Sequence, residues 1–419
     1  MYVAYSLLLG GAFLLALPLF AWRAARSGKY LASLRQRFGR GLPPLNAEGA
    51  PAVWVHAVSV GEVLVARPLV ESLRRRLPAH RVYLSTTTLT GMALARQRMG
   101  AAHGVFFAPF DWRGPVRRAL RAARPTLLVL VETELWPNLV HEARRAGARL
   151  AVVNGRLSPT SFRRYRLVRA LLGRVLREID LFLMQSEPHA DRVRALGAPA
   201  ERVRVPGNLK FDALAELPPP AFDPGPGPWW VAGSTMAEEE ERVLEAFVAL
   251  RAHRPGLRLL LAPRHPERFA EVAALAAARG LAVTRRTALD GRAPGGDVLV
   301  LDTIGELASL YAVATVAFVG GSLVPTGGHN VLEPAAAGRA VVVGPHMENF
   351  REIAEAFLAE DALVQVAGAG ALEGAVGALL DDVPRREALG ARARALVERH
   401  RGAVARTVEA LASLAEPRA

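Results

Sequence analysis

From residue 52 onward, short β-branched or aliphatic runs alternate with longer amphipathic stretches. The short runs predict strands at 52–57, 81–87, 105–110, 126–131, 149–153 and 181–185, with helices between them such as 62–76 and 136–145. Repeated alternation of this length predicts a parallel sheet covered on both faces. The pattern breaks in the stretch LPPPAFDPGPGP, residues 217–228, where proline and glycine alternate from Pro224 to Pro228 and no packed element is expected. It then restarts, with strands predicted at 229–232, 257–261, 298–302, 315–319, 340–343 and 363–366. The expected class is α/β, with two doubly wound domains of similar size. Ligands in such sheets bind beyond the carboxyl ends of the strands, so two such edges are expected to face each other across a central cleft.

The amino-terminal pattern is different. Residues 3–22 are uncharged and almost wholly apolar, and as a helix they would run ~30 Å, the depth of a bilayer core. No charged side chain precedes Arg23, unlike a cleaved signal peptide. The cations Arg23, Arg26, Lys29, Arg35, Arg37 and Arg40 follow, which places the remainder of the chain in the cytoplasm and the basic stretch on anionic lipid. A helix docked on the domain or lying in the interface is the alternative. The expected division is an anchoring helix 1–22, a basic juxtamembrane segment 23–48, a first domain 49–214, a linker 215–228, a second domain 229–400 and a tail 401–419. A return of that tail to the first domain is left open.

Composition narrows the chemistry. The 419 residues suffice for two domains, and 51% apolar with 22% charged residues suits filled cores rather than disorder. With no cysteine, disulfides, thiolate metal sites and a cysteine nucleophile are excluded, in agreement with a reducing compartment. The formal charge of +14 favours anionic partners such as phospholipid headgroups or nucleotides. Nucleic acid is not expected, because aromatics are sparse and no basic helix, zinc spacing or stacking platform is visible. There is no GxxxxGK[ST] phosphate loop and no GxSxG elbow. His56, His103, His265, His329 and His346 lack metal-ligand spacing, so no catalytic metal and no cofactor are expected.

The loops after the predicted strands hold the candidate chemistry. In Ser59-Val60-Gly61-Glu62, Glu62 opens a helix: it is either a first-turn carboxylate meeting the helix dipole or a general base. Glu132-Thr133-Glu134-Leu135-Trp136 sets two carboxylates at the end of an apolar strand, where they are solvated loop charges or site groups. Lys210 is the only lysine after Lys29 in an arginine-rich chain. It is a chance survivor or a required point charge. In the second domain, Pro263-Arg264-His265-Pro266 follows a strand, with Arg264 either solvated or gripping an anion near a helix start. Asp302-Thr303-Ile304-Gly305-Glu306 repeats the strand–glycine–helix design. The glycines of Gly320-Gly321-Ser322 and Gly327-Gly328-His329-Asn330 would let backbone N–H groups approach a phosphate, with a helix beginning near Asn330 and Glu333 reaching ribose hydroxyls.

In this order, SVGE, VETELWPN, NGRLS, GNLKFD, PRHPERF, GELASLY, FVGGSL, GGHNVLEPAA and GPHMENF resemble the 3-deoxy-D-manno-octulosonic acid (Kdo) transferase family over nearly the whole chain. The resemblance implies a GT-B architecture of two Rossmann-like domains. It also implies inverting, metal-independent transfer of Kdo from CMP-Kdo to the lipid A precursor, at the inner face of the bacterial inner membrane. By the same resemblance Glu62 is the catalytic base, and Glu132 and Lys210 are transition-state stabilisers. Pro263, Arg264, Ile304, Gly305, Glu306, Asn330, Val331, Leu332 and Glu333 match CMP-binding segments. The chain departs from the family pattern at Gly155, where alanine is usual, and at Thr160, where arginine is frequent. The alternatives are a transferase or epimerase using a UDP-sugar, and a membrane-tethered nucleotide- or lipid-binding protein without catalysis.

Overall fold

The computed structural model describes residues 2–27, 31–214, 219–220, 222–225, 227–289 and 293–416. Lys29, linker positions 215–218, 221 and 226, and tail positions 417–419 lie outside the described residues. The chain divides into two compact units, one of residues 1–213 with 401–419 and the other of residues 214–400.

The first unit contains β1 (Ala52–His56), β2 (Arg81–Thr86), β3 (Gly104–Phe107), β4 (Leu127–Val131), β5 (Arg149–Gly155), β6 (Leu181–Met184) and β7 (Val203–Arg204). They form one parallel sheet in the order β3-β2-β1-β4-β5-β6-β7. Because successive strand side chains point to opposite faces, Trp54, Leu128 and Leu130 pack in one core while Val53, Val55 and Val129 pack in another. Burial on both faces explains why these strands read as continuous apolar runs. β3 stops at Phe107 rather than at the expected residue 110: Pro109 has no N–H to continue a ladder. β7, a two-residue edge strand, was not expected, since it has no apolar run to announce it.

The second unit contains β8 (Trp229–Thr235), β9 (Arg258–Pro263), β10 (Val283–Arg285), β11 (Val298–Val300), β12 (Val316–Val319), β13 (Ala340–Val343) and β14 (Val364–Gln365). Their order is β10-β11-β9-β8-β12-β13-β14, again all parallel. Trp230 and Phe318 fill one face, Trp229 and Ala317 the other. The partly exposed edge strand β10 is the second element missing from the expectations. Among the described linker residues there is no helix or strand, yet Phe222 packs on the second unit, with Arg286 4.6 Å above its ring.

After residue 400 the chain re-enters the first unit. The helix Ala403–Ala415 buries Val404, Val408 and Leu411 in the core it shares with the helix Val60–Arg76. Asp212 caps its start, accepting the Gly402 and Val404 N–H groups at 2.7 and 2.5 Å.

The amino-terminal helix is present as Tyr2–Ser27. Among the described residues, however, no helix is long and apolar enough to cross a membrane. One side of it docks on the first unit through polar and ring contacts. The Tyr2 hydroxyl donates to Glu178, Ser6 Oγ accepts Asn138 Nδ2 at 3.0 Å, and Phe13 meets Trp112 edge-on at 5.0 Å. The other side leaves Val3, Leu7, Leu8, Leu14 and Leu15 exposed at helical spacing. Arg37, expected on lipid, instead turns inward over the Phe107 and Phe110 rings at 4.9 and 5.9 Å.

Candidate functional site

In the first unit the strand order reverses between β1 and β4, and that switch point is where an open α/β sheet binds ligands. The loops that follow these two strands hold Glu62 and Glu132. Ser59 is the N-cap of the helix Val60–Arg76. Its hydroxyl donates to Glu62 Oε1 at 2.8 Å, and the Val58 N–H donates to Oε2 at 2.8 Å. Val58 is itself fixed, since its carbonyl accepts the Thr87 and Thr88 N–H groups at 3.1 and 3.3 Å.

Glu62 is only 6% exposed. Burial pushes its carboxyl up to about 7, with Glu132 and Glu134 adding to the rise and the two hydrogen bonds opposing it. Both readings of Glu62 therefore meet in one side chain: it caps a helix start, and its proton affinity suits a base working near neutrality.

Glu132 adopts φ 57°, a left-handed conformation that is costly for a side chain with a Cβ and that clusters at functional sites. Its N–H donates to Val153 O at 2.8 Å, and its carboxylate lies 3.6 Å from Arg156. Glu134 accepts Trp136 Nε1 at 2.9 Å, and the Trp136 ring meets buried His56 edge-on. Glu62, Glu132 and Glu134 thus share one electrostatic neighbourhood.

Lys210 follows a polar tie whose connections the sequence alone did not reveal. Asn154, at φ 52°, accepts the Leu209 N–H on Oδ1 at 2.9 Å and Gln185 Nε2 on its carbonyl at 3.0 Å. Asn208 Nδ2 donates to Gln185 Oε1 at 3.1 Å, and Asn208 Oδ1 accepts the Lys210 N–H at 3.0 Å. The ends of β5 and β6 thereby hold the backbone of Lys210 in place. Asn154 lay in the NGRLS motif and Asn208 in GNLKFD; Gln185 had no signal beyond following a strand.

In the second unit the order reverses between β8 and β12. Gly321 has φ 67°, and a Cβ there would lie 2.8 Å from the His329 ring, so the loop requires glycine. Of the amides expected to face a phosphate, those of Gly321 and Ser322 are already taken. Fully buried Glu239 accepts the N–H groups of Gly321 and Met236 on Oε2 at 2.6 and 2.9 Å. Its Oε1 accepts those of Leu323 and Ser322 at 2.7 and 2.9 Å. A carboxylate of the chain itself fills the amide nest, because leaving several buried donors unpaired is costly. The helix expected near Asn330 is a single turn, Leu332–Ala336.

Arg264, exposed just after β9, interacts electrostatically with Glu333 and His329. Burial raises the Glu333 carboxyl, against the pull of Asn330 Nδ2 at 3.1 Å and of Arg264. Burial also drops His329 to about 4, leaving it neutral. Pro263, Arg264 and the stretch from Asn330 to Glu333, including buried Val331 and Leu332, are thus brought together at the ends of β9 and β12. The Ile304–Gly305–Glu306 turn makes its own contacts: Glu306 pairs with Arg286 at 2.9 and 3.0 Å and accepts Thr303 Oγ1, while Ile304 is exposed. No hydrogen bond or ion pair joins it to Arg264 or Glu333 among the described residues. Among those residues there is also no cluster of three His, Cys, Asp or Glu side chains able to hold a metal ion.

Residues 32–213 match the family model described as 3-deoxy-D-manno-octulosonic-acid transferase (kdotransferase). A 3-deoxy-D-manno-octulosonic acid transferase of Bordetella pertussis is 40% identical over 411 residues, covering 94% of this chain and 95% of its own. The enzyme of the same name from Haemophilus influenzae is 34% identical over 400 residues, 93% and 92% of the two chains. Among solved structures, a glycosyltransferase from Rickettsia africae gives a TM-score of 0.56 at 11% identity, covering 88% of this chain and all 100% of its own. That likeness is one of fold.

Proposed function

The chain belongs to the Kdo transferase family and is a glycosyltransferase, and from that premise we propose that it moves Kdo from CMP-Kdo to the lipid A precursor, inverting the anomeric centre without a metal. The observation that carries the reading is Glu62, a carboxyl at the β1–β4 switch point with its proton affinity raised to about 7 and both oxygens oriented by hydrogen bonds. A base so poised can take a proton from an alcohol as that alcohol reacts.

The reaction then runs as one displacement. Glu62 removes the proton from a primary hydroxyl of an acceptor glucosamine while its oxygen attacks C2 of Kdo from the face opposite CMP. The bond from C2 to the phosphate oxygen breaks, and CMP departs with the electron pair. Positive charge develops at C2, where the Glu132 carboxylate would stabilise it, and Lys210 would meet negative charge on the donor. On the second unit, Arg264 would neutralise the leaving phosphate, with Pro263, the turn from Ile304 to Glu306 and the stretch from Asn330 to Glu333 holding the nucleotide. The filled amides of Gly321 to Leu323 take no part in this.

The lipid acceptor gives a use to the amino-terminal helix. Its exposed leucines would enter the cytoplasmic leaflet of the inner membrane, lying along it, with exposed Arg35 and Arg40 on anionic headgroups. The test is the full-length protein incubated with CMP-Kdo and the lipid A precursor in EDTA. Mass spectrometry should find the acceptor heavier by whole Kdo residues. Hydrolysis of the donor without transfer, or product only after a divalent metal is restored, would overturn the proposal.

A further inference from the structure

A cavity of about 410 Å³ separates the Tyr2–Ser27 helix from the body of the first unit. That size falls within the ~300–1,000 Å³ usual for a small-ligand pocket. Its lining is apolar: Leu9, Phe13 and Ala16 from the helix, with Phe110, Trp112 and Trp136 opposite. Two charged groups also border it. Asp111 is accounted for, since its carboxylate accepts the Leu139 and Asn138 N–H groups at 2.7 and 3.2 Å. Arg37 is not. Its Nε donates to Ser33 Oγ at 3.2 Å and its Nη2 to the Thr87 carbonyl, but among the described residues no carboxylate pairs with it. Burial lowers its pKa with no opposing charge to restore it. A half-buried guanidinium with unused N–H donors beside an apolar hollow calls for an anion joined to a hydrocarbon.

Two hydrogen bonds in series link the cavity wall to the base. Thr87, in its wall, donates its N–H to the Val58 carbonyl, and the Val58 N–H holds Glu62. We infer that this cavity takes one acyl chain of the lipid acceptor, with Arg37 pairing the acceptor's anionic headgroup, and so seats the sugar hydroxyl toward Glu62. The inference rests on the lipid-acceptor reading above and adds to it a means of choosing acylated over deacylated acceptors. Continuity favours this occupant: the helix that roofs the cavity presents its opposite face, with Leu7, Leu8, Leu14 and Leu15, to the medium from which a chain would enter.

The experiment uses the full-length protein and dodecyl phosphate carrying a terminal bromine, a probe with one chain and one anion. Trp112 and Trp136 line the cavity, so entry of bromine should quench tryptophan emission saturably. Across probes of eight to twelve carbons the affinity should rise about fourfold per methylene. This series needs no variant. Arg37→Gln should weaken the phosphate probe about tenfold and leave brominated dodecanol unchanged. The acylated acceptor should displace the probe, and phosphatidylglycerol vesicles should not. In turnover, Ala16→Phe, which narrows the cavity, should raise KM for the acylated acceptor about tenfold while kcat and the KM of a deacylated acceptor stay put.

No dependence on chain length, equal losses on both acceptors, or displacement by phosphatidylglycerol as readily as by acceptor would each overturn the inference. Absence of turnover with any acceptor in the parent protein would instead refute the transferase reading, while the quenching series would still judge the cavity.

Discussion

Ser59 and Glu62 bond to each other in both directions: the serine hydroxyl donates to the carboxylate at 2.8 Å and accepts the glutamate N–H at 3.4 Å. This is a variant of the capping box, the carboxylate reaching past the N-cap to the Val58 N–H, and it gives a reactive group the rigidity of a helix start. Glu62→Gln keeps the size and one acceptor oxygen but cannot take a proton. Its kcat should fall by roughly 10²–10⁴, while CMP affinity, read by calorimetry, stays unchanged because the proposed nucleotide segments lie on the second unit. A variant with undiminished kcat would remove Glu62 from the chemistry.

The same carboxyl sets the pH dependence. It acts as a base only when ionised, so kcat/KM should rise with pH through a midpoint near 7. Ser59→Ala removes a hydrogen bond that favours the ionised form, so its midpoint should move to higher pH. Loss of the cap should also lower stability by about 1 kcal/mol. A rate profile flat from pH 5.5 to 8.5, or a midpoint moving down in the serine variant, contradicts this assignment.

Stability should run the opposite way. The Glu62 carboxyl rises from 4.5 to about 7 on folding, so between those values the native state holds more protons than the unfolded chain. The benefit is complete below 4.5 and disappears as pH climbs through 7, on the order of 3 kcal/mol. Glu62→Gln has nothing to ionise, so it should gain on the parent protein between pH 5 and pH 8 in urea unfolding. Parallel stability curves for the two proteins would show that burial does not hold the proton.

These consequences depend on residues of unequal visibility in the sequence. The strands were legible because β1, β4, β8 and β12 are buried on both faces and therefore read as unbroken apolar runs; β7 and β10 are short edges and left no such trace. Glu62 was legible as a carboxylate opening a helix after a strand, but its raised proton affinity comes from burial and from Glu132 and Glu134, which only tertiary structure gathers. Glu239 was not foreseen. Three of its four partners lie more than eighty positions away in a loop whose glycines suggested a phosphate. The amino-terminal helix was legible as apolar, whereas its docking depends on sparse polar groups such as Tyr2 and Ser6 that a hydropathy pattern passes over.

Glu239 offers a separate test, because four backbone N–H groups converge on it. Glu239→Ala leaves those donors buried and unpaired at the β8–β12 switch point, a loss of about 3 kcal/mol or more. Glu239→Gln should recover only part of it, since one carboxylate oxygen becomes an NH2 facing N–H donors. Both variants should lower the thermal midpoint and weaken CMP binding, the alanine more than the glutamine. Equal stability of the alanine variant and the parent would mean that the loop does not need the carboxylate.

The carboxyl-terminal helix should matter for catalysis without touching a reactant. Val404, Val408 and Leu411 of Ala403–Ala415 share a core with Val63, Leu69 and Val70 of the helix that Glu62 opens. Ending the chain at His400 exposes that core and strips Asp212 of both N–H partners. Each buried aliphatic side chain contributes ~1.5–3 kcal/mol, so the total loss is roughly 5 kcal/mol. Asp212→Asn, which keeps the helix and weakens only its cap, should cost about 1 kcal/mol. The truncated protein should therefore lose transfer and become sensitive to limited proteolysis around the helix Val60–Arg76, whereas Asp212→Asn should keep most of its kcat. If truncation left both kcat and protease resistance intact, the helix Val60–Arg76 would not depend on this packing to hold Glu62 in place.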